Sequence, residues 1–378
     1  MSTETIKPAK PRILWMDAAR FIAIWLVVLT HTREIGSMVP YSLYDATPWL
    51  WQSIINNIDR LGVPIFLIIS GALTLRRAGE MPVGEYFRKY AGRIVQFVLL
   101  LAFYSILTNF VSRMVLHGEG AWDALCSAAC ENNGVWPLNY GDAYHMWYMH
   151  AIIAMYLVAP FIGRMLKHME TREILCFLAL IFAFNYMRHW GGIFGDINNT
   201  VGPTVSESQL FSSATNMLQS GMPGGFLMYF ILGYLLMHRN LVPENARTTR
   251  LAAAVFVGSC LLATGVDLIK GHHVYFLHWY CSSVTVLAGG FAVVVLLRNL
   301  LSGISSLPGI VMATSKHSFG IYLTHYAIIF AILPWWQQQP HAQNCVVSCL
   351  FYTAFCFPLS MLLTWLLARS RKSRYLVA

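Results

Sequence analysis

Residues 13–32 read Ile13-Leu14-Trp15-Met16-Asp17-Ala18-Ala19-Arg20-Phe21-Ile22-Ala23-Ile24-Trp25-Leu26-Val27-Val28-Leu29-Thr30-His31-Thr32. Twenty residues at ~1.5 Å each make a helix of ~30 Å, the thickness of bilayer hydrocarbon. Asp17, Arg20 and His31 interrupt an otherwise apolar run. Arg20 and His31 are three helical turns apart, so they share nearly one face, ~16 Å apart along the axis. Asp17 and Arg20, three apart, can pair on the helix surface. Ionisable groups inside a membrane are costly and mark functional positions. The plainer alternatives are snorkelling of Asp17 and Arg20 to one interface, and a loop-bonded His31 at the other. Taken together the three form one polar stripe across an apolar helix, which points to a cavity through a helix bundle. Lys7, Lys10 and Arg12 precede the run, as in a signal peptide, but no small-residue cleavage site follows. The run is therefore expected to be a retained first helix.

The rest of the chain has the same character. Of its 378 residues 57% are hydrophobic and 11% charged, with mean hydropathy +0.54. A soluble domain carries roughly 25% charged residues, so this composition excludes a water-covered surface. The net charge of +9 then speaks to membrane orientation before nucleic acid. Ten segments are long and apolar enough to span: about 13–32, 54–75, 92–112, 145–163, 174–188, 222–238, 251–268, 277–297, 309–333 and 345–367, the fifth and sixth short. They are too long and continuous for barrel strands. The expected fold is an all-α, polytopic transmembrane bundle of about ten helices. Residues 1–12 form an N-terminal segment, 13–367 the membrane domain and 368–378 a basic tail.

Orientation follows from charge. With the N-terminus inside, twenty Lys and Arg fall on the inner side and four (Arg33, Arg113, Arg188, Lys270) on the outer, while Arg20 and Arg60 lie within spans. That bias predicts both termini in the cytoplasm. The long loops, about 33–53, 113–144 and 189–221, then all face outward, where an external substrate is bound.

Other polar groups fall at predicted helix ends. Asp59-Arg60 reads most simply as a local ion pair. His145, before Trp147-Tyr148, reads most simply as an interfacial anchor. Ser318, Tyr322 and His325 share a related face of the ninth span. Cys126, Cys130, Cys345 and Cys349 fall near the outer face, where a disulfide is permitted; as small apolar residues they need none. Neither C-x3-C pair has the spacing of a common metal site, and no metal is expected.

Five motifs resemble one family. Asp17-Ala18-Ala19-Arg20 through His31 resembles the D-x-x-R-x10-H signature of the membrane acyltransferase 3 family. Gly62-Val63-Pro64-Ile65-Phe66-Leu67-Ile68-Ile69-Ser70-Gly71 resembles its G-V-P-x-F-x-x-x-S-G motif. His145-Met146-Trp147-Tyr148-Met149 is similar to its H-x-W-[FY]-L motif, and Phe230-Ile231-Leu232-Gly233-Tyr234 to its F-x-x-G-Y element. Ser318-Phe319-Gly320-Ile321-Tyr322-Leu323-Thr324-His325 resembles S-[FY]-x-I-Y-L-x-H. The motifs occur in family order across roughly 13–330. The family often has an R-x-x-R pair after its second helix; here Arg88 and Arg93 are five apart, with Lys89 between.

The resemblance implies a multi-pass protein of the bacterial inner membrane that moves an acyl group, usually acetyl, from acyl-CoA to a hydroxyl of a surface glycan. Acyl transfer to a hydroxyl needs a base, and histidine is tuned for that near neutral pH. His31 is the expected base or transient acyl carrier, with Asp17, Arg20, Glu34, His145 and His325 as the other catalytic candidates. Glu34 is placed to orient the imidazole or to act as a loop charge. Arg20, Arg88, Lys89, Arg93, Ser70, Trp147 and Tyr322 are the expected donor-binding residues, the basic ones attracting CoA phosphates. The expected partners are the bilayer and an outer-face glycan, with no nucleic acid. The alternative is a transporter or flippase for an envelope glycan or small metabolite, which would also carry intramembrane Arg, Asp and His.

Overall fold

Between Leu14 and Ile35 no proline or glycine breaks the helical run, and the first helix accordingly continues past His31 to Gly36. The computed structural model describes residues 12–36, 47–131, 140–183, 224–269, 283–340, 342 and 344–377. Its helices are α1 (Leu14–Gly36), α2 (Thr47–Asp59), α3 (Gly62–Glu80), α4 (Val83–Leu116), α5 (Ala121–Glu131), α6 (Trp147–His168), α7 (171–183), α8 (Gly224–His238), α9 (Ala246–Ile269), α10 (Val284–Leu301), α11 (Gly309–Gln337) and α12 (Cys345–Arg369). Among the described residues there is no strand.

The chain is all-α, as expected. Eight helical stretches among the described residues are long and apolar enough to cross a membrane, and Gly225–His238 is apolar but shorter. The predicted second span, 54–75, is divided: α2 ends at Asp59 and α3 begins at Gly62. The predicted loop 113–144 contains α5, while 189–221 lies outside the described residues. Cys126 and Cys130 on α5 are exposed free thiols; the side chain of Cys345 lies outside the described part.

Prolines and side-chain caps set helix ends. Pro82 and Pro308 stand immediately before α4 and α11. The Asn344 side chain accepts the Val347 N–H at 3.0 Å, which caps α12. Arg239 donates to the Leu166 and Met169 carbonyls at the end of α6, and Arg298 to the Leu236 and Val242 carbonyls at and beyond the end of α8. Each supplies donors to the carbonyls that a helix end leaves unpaired.

At the centre, α3 packs on α1, α6, α8 and α10, and α11 packs on α1, α4 and α12. Contact with α8 is backbone to backbone. A Cβ on Gly71 would strike the Phe230 carbonyl, and one on Gly233 the Ile68 carbonyl. The glycines of the S-G and F-x-x-G-Y motifs are thus one crossing, in which small residues let two helices approach closely. Outside, Val95, Leu99 and Phe103 on α4 repeat every four residues, and Leu359, Leu362 and Leu366 line α12, all exposed. Such apolar stripes on the outside of a helix bundle suit contact with lipid.

The segment after α12 returns to the bundle. Gln96 and Tyr104 on α4 donate to the carbonyls of Tyr375 and Leu376, and Val377 is buried.

Candidate functional site

Helices α1 and α11 run parallel, with polar contacts at both ends. At the end where they begin, the Ser315 hydroxyl donates to Asp17 at 2.6 Å. Arg20 lies 3.4 Å from the same carboxylate, and Arg12 Nε 3.6 Å from its other oxygen. The predicted Asp17–Arg20 pair is therefore present, as part of a wider cluster. At the far end, His31 of α1 meets His325 of α11, ring centroids 5.2 Å apart.

His145 completes a trio, 6.2 Å from His31 and 5.3 Å from His325. It sits in a 3-10 turn, Tyr144–Met146, just ahead of α6. That turn is held from α4. Asn109 donates to the Tyr140 carbonyl and accepts the Asp142 N–H, while Ser112 donates to the Asp142 carboxylate at 2.6 Å. Gly141 has a φ of +52°, and a Cβ there would meet Asn109 Oδ1 at 2.6 Å. The Tyr322 hydroxyl donates to the His145 carbonyl at 2.7 Å, tying the turn to α11. His145 is thus a buried site residue and not the interfacial anchor of the simpler sequence reading.

The protonation of His325 can be assigned from its partners. Its Nδ1 lies 2.7 Å from the Tyr322 carbonyl and 3.1 Å from the Ile321 carbonyl. Carbonyl oxygens only accept, so Nδ1 carries the hydrogen and the neutral ring has its lone pair on Nε2. Nε2 is buried and has no hydrogen-bond partner among the described residues. Polar atoms buried without partners are uncommon, and cluster where a site awaits a substrate or water.

Tyr326 packs the trio together, stacked on His145 at 4.5 Å and edge-on to His31 at 4.9 Å. Sequence reasoning missed it, although Tyr322, His325 and Tyr326 fall at helical spacing on one face.

A second polar group borders the histidines. Asp59, beside Arg60 in the chain, also reaches an arginine of α1. This is Arg33, at 2.7 Å, and both side chains are buried. Arg33, expected in an outer loop, is two residues beyond His31 within α1 and is carried inward with that helix. Arg33 and Arg60 both donate to Asn56 Oδ1, at 2.7 and 3.2 Å.

A cavity of about 320 Å³, including its open mouth, is lined by Val27, Thr30, His31, Asp59, Arg60, Val63, His145, Trp147, Tyr148 and Tyr322. His325 stands behind His31 and His145. Trp147 is braced by stacking on Phe226 at 5.4 Å. The cavity thus unites His31, His145, Trp147 and Tyr322 from the expected set. It does not include Asp17, Arg20, Ser70, Arg88, Lys89 or Arg93. Arg88, Lys89 and Arg93 are exposed on the first turns of α4, with Arg93 over the Phe97 ring, which in turn packs on Phe319 of α11. They therefore lie toward the Asp17 end, away from the histidines. Ser318 bonds to the Ser315 carbonyl, a satisfied core hydroxyl. The side chain of Glu34 lies outside the described part. Among the described residues, no group of three or more His, Cys, Asp or Glu side chains has metal-holding geometry.

Apolar stripes around an interior holding buried histidines and a buried ion pair define a multi-pass membrane protein with titratable groups in its interior. The chain belongs to the acyltransferase 3 family: the family's model, described as an acyltransferase domain, matches residues 13–369. The chain is also similar to a Caenorhabditis elegans protein described as regulator of hypoxia-inducible factor 1, at 25% identity over 199 residues, which are 46% of this chain and 38% of that one. The chain thus matches well under half of that relative's length. No solved structure matches it.

Proposed function

We propose that the protein transfers an acyl group, acetyl in the simplest case, from cytoplasmic acyl-CoA to a hydroxyl of an envelope glycan presented on the outer side of a bacterial inner membrane. The observation that carries this reading is the convergence of His31 and His145 on one cavity inside the bundle, with His325 packed against both. His31, on the cavity wall, removes the acceptor proton, and His325 Nε2 behind it offers a lone pair to orient the ring and share the proton. The positive charge at the Asp17 end supports binding of CoA phosphates there by Arg20, Arg88, Lys89 and Arg93. The ~16 Å of α1 between Arg20 and His31 suits an extended pantetheine arm that brings the thioester to the cavity.

The test is acyl transfer by purified protein with acetyl-CoA, together with mass spectrometry of surface glycans in cells with and without the gene. His31→Ala is expected to lower turnover by ~10²–10⁴. Full turnover by His31→Ala defeats the mechanism. Movement of a glycan across vesicles with no consumption of acetyl-CoA replaces it with the transporter reading.

A further inference from the structure

Acyl transfer builds negative charge where the geometry so far supplies only bases. When the acceptor oxygen attacks the thioester carbon, its proton passes to His31 and the carbonyl π electrons move onto oxygen, giving a tetrahedral oxyanion. Collapse re-forms the carbonyl, breaks the C–S bond, and returns the proton from His31 to the departing thiolate. The products are the ester and the CoA thiol. The largest single contribution to such reactions is a fixed positive group aimed at the oxyanion.

We infer that Arg60 is that group, a catalytic residue of this site, an assignment that rests on the proposed acyl transfer. Asp59 and Arg60 both line the cavity with His31 and His145. The Asp59 carboxylate is engaged by Arg33 at 2.7 Å, within a buried pair. Of the two arginines at Asn56, Arg60 is the one on the cavity wall. Its Nε donates to Asn56 Oδ1 at 3.2 Å, and Asn56 is held in turn by Arg33, so the guanidinium is oriented by a side-chain network. A second observation is independent of the side chain. Arg60 forms the turn that leads into α3, and Val63 in the first turn of that 19-residue helix also lines the cavity. The positive end of the helix therefore adds to the same field. In surroundings of low dielectric this field acts with little screening.

The experiment measures kcat and KM for acetyl-CoA and acceptor in wild type, His31→Ala, Arg60→Gln, Arg60→Ala and Arg60→Lys, each checked for unfolding temperature in detergent. Wild-type transfer that His31→Ala abolishes establishes acyl transfer at this site, so a failure of that reading shows in wild type and His31→Ala, and a failure of the Arg60 assignment shows only in the Arg60 variants. Arg60→Gln is expected to lose ~10²–10³ in kcat with both KM values within about threefold. Added guanidinium is expected to restore part of the kcat of Arg60→Ala and none of that of His31→Ala. Arg60→Lys, which keeps the cation and guards against a misfolded neutral variant, is expected to retain more kcat than either neutral variant. The inference is overturned if Arg60→Gln keeps its kcat, if its loss lies in KM, if guanidinium restores nothing to a folded Arg60→Ala, or if a folded Arg60→Lys is as slow as the neutral variants.

Discussion

Arg33 and Asp59 show how much hangs on a single residue's partner. An ion pair in the interior is hardly better than an apolar pair, yet losing one member strands the other's charge. Asp59→Asn is therefore expected to destabilise the protein by about 3–5 kcal/mol, and Arg33→Met with Asp59→Leu together by far less. Unfolding of the two single variants and the double variant in detergent measures this. Additive losses would show that the pair is not coupled. The three histidines behave differently. Their rings fill space in the core while His325 Nε2 goes without a hydrogen-bond partner among the described residues, which costs stability.

At the scale of elements, two family motifs prove to be packing devices. Gly71 and Gly233 bring α3 and α8 into backbone contact, and Gly79 with Gly163 does the same for α3 and α6. Gly71→Val is expected to cost about 1–3 kcal/mol or more, because a helix backbone cannot yield as a side chain can. Gly258→Ala on α9 is the control. A Cβ there meets nothing within 4 Å, and the better helix former is expected to leave stability equal or higher by about 1 kcal/mol. Thermal unfolding of both in detergent decides. Equal losses would mean that the α3–α8 crossing does not depend on the glycine. The histidine site depends on this crossing indirectly, since α3 carries the wall residue Val63 and begins at the Arg60 turn.

For the whole molecule, direction follows from charge. The charge distribution predicts that the first turns of α4 face the cytoplasm and that α5 faces outward. In a cysteine-free background of intact cells, Trp122→Cys, at a position 74% exposed, is expected to react with a membrane-impermeant thiol reagent. Arg88→Cys is expected to react only after permeabilisation. Labelling of both from one side, or the reverse pattern, would overturn the topology and with it the proposed cytoplasmic entry of the donor.

Class and family were legible in the chain itself, because hydropathy over twenty residues and motif order are local properties. The stripe of Asp17, Arg20 and His31 was legible too, since helical periodicity alone puts those side chains on nearly one face. Periodicity within single helices could not bring His31 to His145 and His325, which lie on three elements more than a hundred residues apart. It also gave no sign of Arg33 at Asp59, where the adjacent Arg60 was the nearer charge in sequence. Helix α1 carries Arg33 to within 2.7 Å of Asp59, a contact set by packing between helices and not by closeness in sequence. The sequence by itself determined a helical membrane protein with polar groups in its first span. Only the tertiary structure decided which of those groups share a cavity, because that depends on how parallel α1 and α11 align against the turn before α6.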